Sequence, residues 1–202
     1  MLSLPVSPTH SVGPLLIALL SAVAFAFEPL SGQWLAYDRY AIDGFETWRL
    51  ITGNFVHTNG YHLLLNLAGL ALLWALHGHH YHITRFMRVF LWCCFGTSTG
   101  LYFLSPDLIW YAGLSGALHG LFAWGACMDI RQGLRSGWLL LIGGAVKVGH
   151  EQIAGSSDGV ATLIDATVAV DAHLYGGLSG IIIFLLMWGL TRQPATSTQS
   201  TH

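Results

Sequence analysis

At 202 residues, the chain is 53% hydrophobic and only 9% charged, with a mean hydropathy of +0.57. A soluble domain carries roughly 25% charged residues, so this composition excludes a water-facing globule and points to an integral membrane protein. The net charge of −2 offers no basic surface to a nucleic-acid partner. Cys93, Cys94 and Cys127 all lie in apolar stretches, and an odd number with two adjacent makes no disulfide framework; they read as small packing residues.

At about 20 residues per span, the length suits one bundle of about five to seven helices. Apolar stretches of helix length occur at 13–30, 60–76, 86–104, 115–130, 136–152 and 171–191. Arg85 and Arg88 lie between the second and third, Arg131 and Arg135 between the fourth and fifth, and Arg192 after the sixth. The positive-inside rule makes these places cytoplasmic, so the second, fourth and sixth spans start at the outer side. The first stretch contains "AVAFA" at 22–26, an Ala-x-Ala of the signal-cleavage kind. No Lys or Arg precedes it, so a retained helix is favoured over a cleaved signal. The organisation expected is a cytoplasmic segment 1–12, a six-helix bundle 13–191 and a disordered polar tail 192–202.

Two connections stand out. The segment 31–56, "SGQWLAYDRYAIDGFETWRLITGNFV", is too polar and Gly-broken to span. Its Trp34, Tyr37, Tyr40, Phe45 and Trp48 suit the headgroup region, as in a partly embedded outer loop. The connection 153–170 reads as a flexible outer loop.

Polar side chains at membrane depth are costly and are candidates for function. The second span begins with His57 at its edge, followed by His62 and Asn66, which share one helix face at a spacing of four. The fourth begins with Ser115 and His119, the sixth with Asp171 and His173. The Arg-derived topology therefore brings Ser115, His173, His62 and Asn66 to one shallow outer depth. A serine hydroxyl needs a base to become a nucleophile, and His173 is one. An acyl-transfer intermediate needs donors for its oxyanion. The Ser115 N–H at a helix start and the side chains of His62 and Asn66 can supply them. Gly113 and Gly116 remove bulk so that a substrate backbone can approach. Taken singly, each feature has a plainer explanation: Gly-Ser-Gly as close helix packing, a histidine as filler, Asn66 as an interhelical hydrogen bond.

The stretches "WRLITGNFVHTNGYHLLLN" (48–66), "GLSG" (113–116) and "AHLYGGLSG" (172–180) resemble the rhomboid intramembrane serine proteases in order and spacing. The resemblance implies an all-α membrane protein with a six-transmembrane-helix rhomboid-like bundle. It implies Ser115 as nucleophile, His173 as general base, and His62 and Asn66 as oxyanion donors. His57 matches a histidine that stabilises the outer loop, and Trp48-Arg49 match that loop's Trp-Arg pair. Gly176 and Gly180 match small residues that let the sixth helix pack against the fourth. In this family no third acid is required, so Asp171 and Asp165 need not be catalytic. No metal or cofactor is implied, and the partner is a membrane-anchored protein substrate in the bilayer. The implied location is a bacterial inner membrane, with the site facing the periplasm.

Departures are present too. His119 stands where many rhomboids carry a Tyr, and Gly53 where another His is frequent. The compact form, "GLSGALHGLFAWG" and the "HEQ" at 150–152 look like the rhombosortase subgroup, whose members are thought to process C-terminal Gly-Gly sorting tails. His77, His79, His80 and His82 have no fixed ligand geometry in sequence and read as a solvated loop rather than a metal site. Lys147 lies four residues before Glu151 and reads as a snorkelling lysine paired with it, or else as a residue facing substrate. A catalytically silent rhomboid-like binding protein and a histidine-based transporter are the competing readings. The former usually loses Ser or His, and the latter needs polar groups across the whole membrane.

Overall fold

The structure, a computed structural model, describes residues 4–191; the expected tail 192–202, with Arg192, lies outside the described residues. Helix α1 (Pro8–Ala26) starts with Pro8, where a missing N–H costs nothing, and carries Pro14 within it. It begins inside the segment expected as a cytoplasmic lead, and ends four residues before the expected boundary. The segment after α1 folds into α2 (Leu30–Leu35), β1 (Tyr37–Asp38), α3 (Arg39–Asp43), α4 (Arg49–Thr52) and a 3₁₀ turn, Gly53–Phe55. Next come α5 (Gly60–His77), a second 3₁₀ turn (Gly78–His80), α6 (Ile83–Leu104), β2 (Trp110–Tyr111), α7 (Ser115–Arg131), α8 (Arg135–Ala154), α9 (Asp158–Ile164) and α10 (Val170–Thr191).

Among the described residues, six long helices fall where the apolar stretches are. Three spans, Pro8–Ala26, Gly60–His80 and Val170–Gly189, are by length and composition able to cross a membrane. Of the others, α7 has 17 residues, α6 carries Arg85 and Arg88, and α8 carries Arg135, Lys147 and Glu151. Apolar side chains such as Leu15, Leu19, Leu139, Ile142 and Val146 are exposed, as lipid contact requires and as water would penalise.

Helix α7 is the hub, packed against α5, α6, α8 and α10. Its small residues make this possible. A Cβ on Gly176 of α10 would collide with the carbonyl oxygen of Gly116, and one on Gly180 with the carbonyl oxygen of Gly120. Four-residue spacing on both helices thus lets the backbones touch, the small-xxx-small packing of membrane helices. Around it, Leu114, Leu118, Leu121 and Trp124 join Val89, Phe90 and Cys93 of α6 in the core. All three cysteines are free and buried.

The segment 31–56 is a folded strap rather than a loose loop. The buried Arg49 donates to Ala36 O and Gln33 O at 2.8 Å each and pairs with Glu46 at 2.6 Å. Trp48 Nε1 donates to Trp34 O. Arg39 reaches the carbonyls of Leu101, Tyr102, Ser105 and Leu108, capping the C-terminal end of α6. The strap is stitched to the turn before α7 by antiparallel pairing of β1 with β2, Tyr37 opposite Tyr111, and by Gly113 N–H donating to Gly53 O. A Cβ at Gly53 would meet Tyr37 N at 2.6 Å, which accounts for glycine there.

Two expectations are corrected. The connection 153–170 is not wholly loose: it forms α9, whose buried Ile164 accepts a hydrogen bond from Thr58 Oγ1 at 2.6 Å. The His77–His82 run is not a solvated loop either. His77 and His80 are buried beside Asp129 at the end of α7, while His79 and His82 remain exposed.

Candidate active site

The chain enters α7 through Gly113, whose φ is +122°. An L side chain resists that conformation, and a Cβ there would also lie 2.6 Å from His62 Nε2. The buried Tyr111 hydroxyl braces the turn, donating to Gly113 O at 2.7 Å and accepting from Gly116 N–H at 3.4 Å; burial pushes this phenol's pKa up. Ser115 is then the first residue of α7, so its N–H has no acceptor within the helix.

Ser115 Oγ lies 3.1 Å from His173 Nε2. The other ring nitrogen, Nδ1, lies 2.9 Å from Glu151 Oε2. A carboxylate can only accept, so Nδ1 carries the proton and Nε2 presents its lone pair to the serine. Glu151 comes from α8 and is mostly buried, its side chain 13% exposed. Lys147, one turn earlier, donates to the same oxygen at 2.8 Å. The 3.4 Å approach of Lys147 Nζ to His173 Nδ1 follows from that shared acceptor.

His119 closes the network. Its Nδ1 lies 2.7 Å from Ser115 O and its Nε2 2.8 Å from Lys147 Nζ. The carbonyl can only accept and the ammonium only donate, so His119 is neutral with its proton on Nδ1. Its ring stacks on His173, centroids 4.1 Å apart and planes 18° from parallel.

His62 and Asn66 face the same space from α5. Thr58 N–H donates to His62 Nδ1 at 3.4 Å, which leaves the ring proton on Nε2, beside Gly113. Asn66 Nδ2 donates to His62 O at 3.1 Å and keeps a second N–H. His57 sits behind His62, its ring edge-on at 5.0 Å and its Nδ1 3.1 Å from Phe55 O. Burial, then the neighbouring His62, lower the His57 pKa to about 3, which favours the neutral ring just past the end of the strap. Asp171, by contrast, is taken by Ser105 Oγ at 2.5 Å.

These groups open into a cavity of about 750 Å³ bounded by α5, α7, α8 and the α9 connection. Its polar end is Ser115, His119, Lys147 and His173; its apolar length runs past Leu65, Leu72 and Phe122. A long hydrophobic segment with a reactive backbone point would match it. His119, Glu151 and His173 also place one donor atom each within 4.8 Å of one another. Lys147 already binds both Glu151 Oε2 and His119 Nε2, so a cation there would have to displace an ammonium.

The rhomboid domain model matches residues 44–190. The chain belongs to the rhomboid family. The search among curated proteins found no relative that matches it. Membership makes this rhomboid an integral membrane protein, a rhomboid-type intramembrane protease or a relative of one. Of the residues named from the rhomboid resemblance, Ser115, His173, His62 and Asn66 line this cavity, whereas His57, Gly113, Gly116, Gly176 and Gly180 do not. The sequence shows Glu151 as a partner for Lys147 and as part of the HEQ stretch, not as a partner of His173. The shared helical face of Lys147 and Glu151, one turn apart, is legible in the sequence, but not that α8 turns it toward His173.

Proposed function

We propose that this protein is an intramembrane serine endopeptidase of six membrane-spanning helices, with Ser115, His173 and Glu151 as its catalytic group. One observation carries the reading. Within a rhomboid domain, the serine at a helix start lies 3.1 Å from a histidine whose far nitrogen is fixed by a carboxylate at 2.9 Å. His173 Nε2 takes the Ser115 proton as Oγ attacks the scissile carbonyl carbon. The resulting oxyanion is held by the Ser115 N–H, His62 Nε2–H and Asn66 Nδ2–H. His173 then passes the proton to the leaving amine, and a water, deprotonated by the same nitrogen, hydrolyses the acyl-enzyme. Glu151 fixes the tautomer and offsets the imidazolium charge.

The substrate is a membrane-anchored protein, cut near the outer boundary of its span. The site lies at the bundle end opposite Arg131, which the positive-inside rule makes the periplasmic side of a bacterial inner membrane. The shared HEQ and GLSGALHG stretches favour the rhombosortase subgroup and a C-terminal Gly-Gly sorting tail. Labelling by a serine-reactive fluorophosphonate tests the assignment. Wild type is expected to label, and Ser115→Ala and His173→Ala to label at background, with the double variant no worse than either in turnover. Background labelling of wild type would instead favour a catalytically silent rhomboid relative, and equal labelling of Ser115→Ala would remove Ser115 as the nucleophile.

A further inference from the structure

The far end of α7 carries a second cluster of chemistry that proteolysis does not use. Asp129, 4% exposed, lies 14 residues after Ser115 along one helix, about 21 Å away at 1.5 Å per residue. Three imidazoles from the end of α5 and its 3₁₀ turn surround the carboxylate. His80 Nε2 is 2.7 Å and His79 Nε2 3.6 Å from Oδ1, and His77 Nδ1 is 3.1 Å from Oδ2. The donor atoms of His79, His80 and Asp129 all lie within 4.8 Å of one another. His77 is wholly buried; among the described residues its Nδ1 approaches Oδ2 without a hydrogen bond and its Nε2 has no hydrogen-bond partner.

Of the three histidines only His80 makes a hydrogen bond to the carboxylate, at 2.7 Å, so carboxylate satisfaction alone does not account for the other two. Burying this many ionisable groups at the rim of a membrane bundle is costly unless they act together. Two imidazole nitrogens and one carboxylate oxygen converging on a point are a borderline metal's donor set, with Zn–N and Zn–O bonds near 2.0–2.2 Å. In a tetrahedron such ligand atoms stand roughly 3.3 Å apart, between the two Oδ1 distances seen here. We propose that His79, His80 and Asp129 form a binding site for a divalent transition metal of the Zn²⁺ class. His77 braces the second carboxylate oxygen from behind, as outer partners of metal ligands do. The fourth coordination position is taken by water on the exposed His79 side. The site ties the α5 turn to the end of α7, the helix that begins with Ser115, and its role is to hold these two elements together.

The test uses the full chain in detergent, with an affinity tag free of histidine, stripped by chelator and titrated with Zn²⁺ against a chromophoric chelator. One tightly held ion per chain is expected, together with a rise in unfolding temperature on Zn²⁺ addition. His79→Ala, at a half-exposed side chain that the fold tolerates, should weaken binding at least tenfold and remove the thermal shift. His77→Asn should weaken it roughly 10–100-fold. Glu151→Gln, which disables the other cluster of potential ligands, should leave the ion in place. The proposal is overturned if wild type holds no tight ion, if His79→Ala binds as wild type does, or if the tight ion is lost with Glu151→Gln.

Discussion

His173 Nδ1 stands 2.9 Å from Glu151 Oε2, while Nε2 of the same ring stands 3.1 Å from Ser115 Oγ. The ring therefore bridges a hydroxyl and a carboxylate carried by different helices, α7 and α8. Only one tautomer serves both contacts. Glu151→Gln breaks this selection, because the amide can turn its NH₂ toward the ring and favour the other tautomer. A fall in kcat between tenfold and about 10⁴-fold is expected, the upper figure being the cost of the equivalent change in a soluble triad. Asp171→Asn, at the carboxylate held by Ser105, should leave the rate within twofold. The comparison is made with purified variants of matched unfolding temperature on one membrane-peptide substrate. Equal rates for Glu151→Gln and wild type would remove the glutamate from the mechanism.

The meeting of Ser115, His173, His62 and Asn66 is legible because each lies in the outer half of a helix whose direction the Arg residues define. Helix phase and topology together leave little freedom for where they meet. Glu151 was not legible as a partner of His173. It lies 22 residues upstream, on a helix where only Gly137 is fully buried, so no apolar stripe announces which face turns inward. The strap was hidden for another reason. It is built from two-residue strands and helices of four to six residues, too short for any periodicity, and is held by Arg39 and Arg49 donating to backbone carbonyls. The burial of His77 and His80 is not legible because the neighbouring carboxylate, Asp129, is 49 residues away from His80.

Gly176 should be the most sensitive small residue. A Cβ there collides with the Gly116 carbonyl, a backbone atom that cannot move aside, whereas the neighbouring Gly177 has nothing within 4 Å of its would-be Cβ. Gly176→Ala must push α10 from α7 and draw His173 away from Ser115. Overpacking of this kind costs about 1–3 kcal/mol. The expected outcome is a lowered unfolding temperature with a larger proportional loss of fluorophosphonate labelling. Gly177→Ala should match wild type in both. If Gly176→Ala also labels normally, the helix contact does not set the reacting distance.

His57 gives the fold a pH dependence of known sign. Its ordinary pKa is 6.5, and burial lowers it to about 3 in the folded protein. Between those values the unfolded chain binds a proton that the folded chain refuses. Stability therefore rises with pH across that window and is lost as pH falls below about 6.5. The slope from this one group is at most about 1.4 kcal/mol per pH unit. His57→Gln should flatten the decline in unfolding temperature between pH 7.5 and 5, even if it starts lower. An unchanged slope would mean that His57 is not the group that resists protonation.

The shape of the cavity bears on what can be cut. Ser115 is reached from an apolar channel between α5 and α8, so a substrate span must come in sideways and offer an unwound backbone at its end. A helix shields its carbonyls by its own hydrogen bonds, and a site that frays easily is cut more easily. Each Gly costs a helix about 1 kcal/mol relative to Ala, so a Gly-Gly step at the outer end of a span opens readily. It also carries no side chain to clash with His62 or with the Tyr111-braced turn. The expected substrate is an exported protein with a C-terminal Gly-Gly, one apolar span and a short basic end. Co-expression with such a substrate, followed by mass spectrometry of the new C-terminus, should find cleavage next to the glycines. Replacing Gly-Gly by Leu-Leu should reduce cleavage about tenfold or more, as two residues at about 1 kcal/mol each predict. Efficient cutting of the Leu-Leu form, or cutting within the basic half of the span, would show that the channel selects by something other than helix weakness.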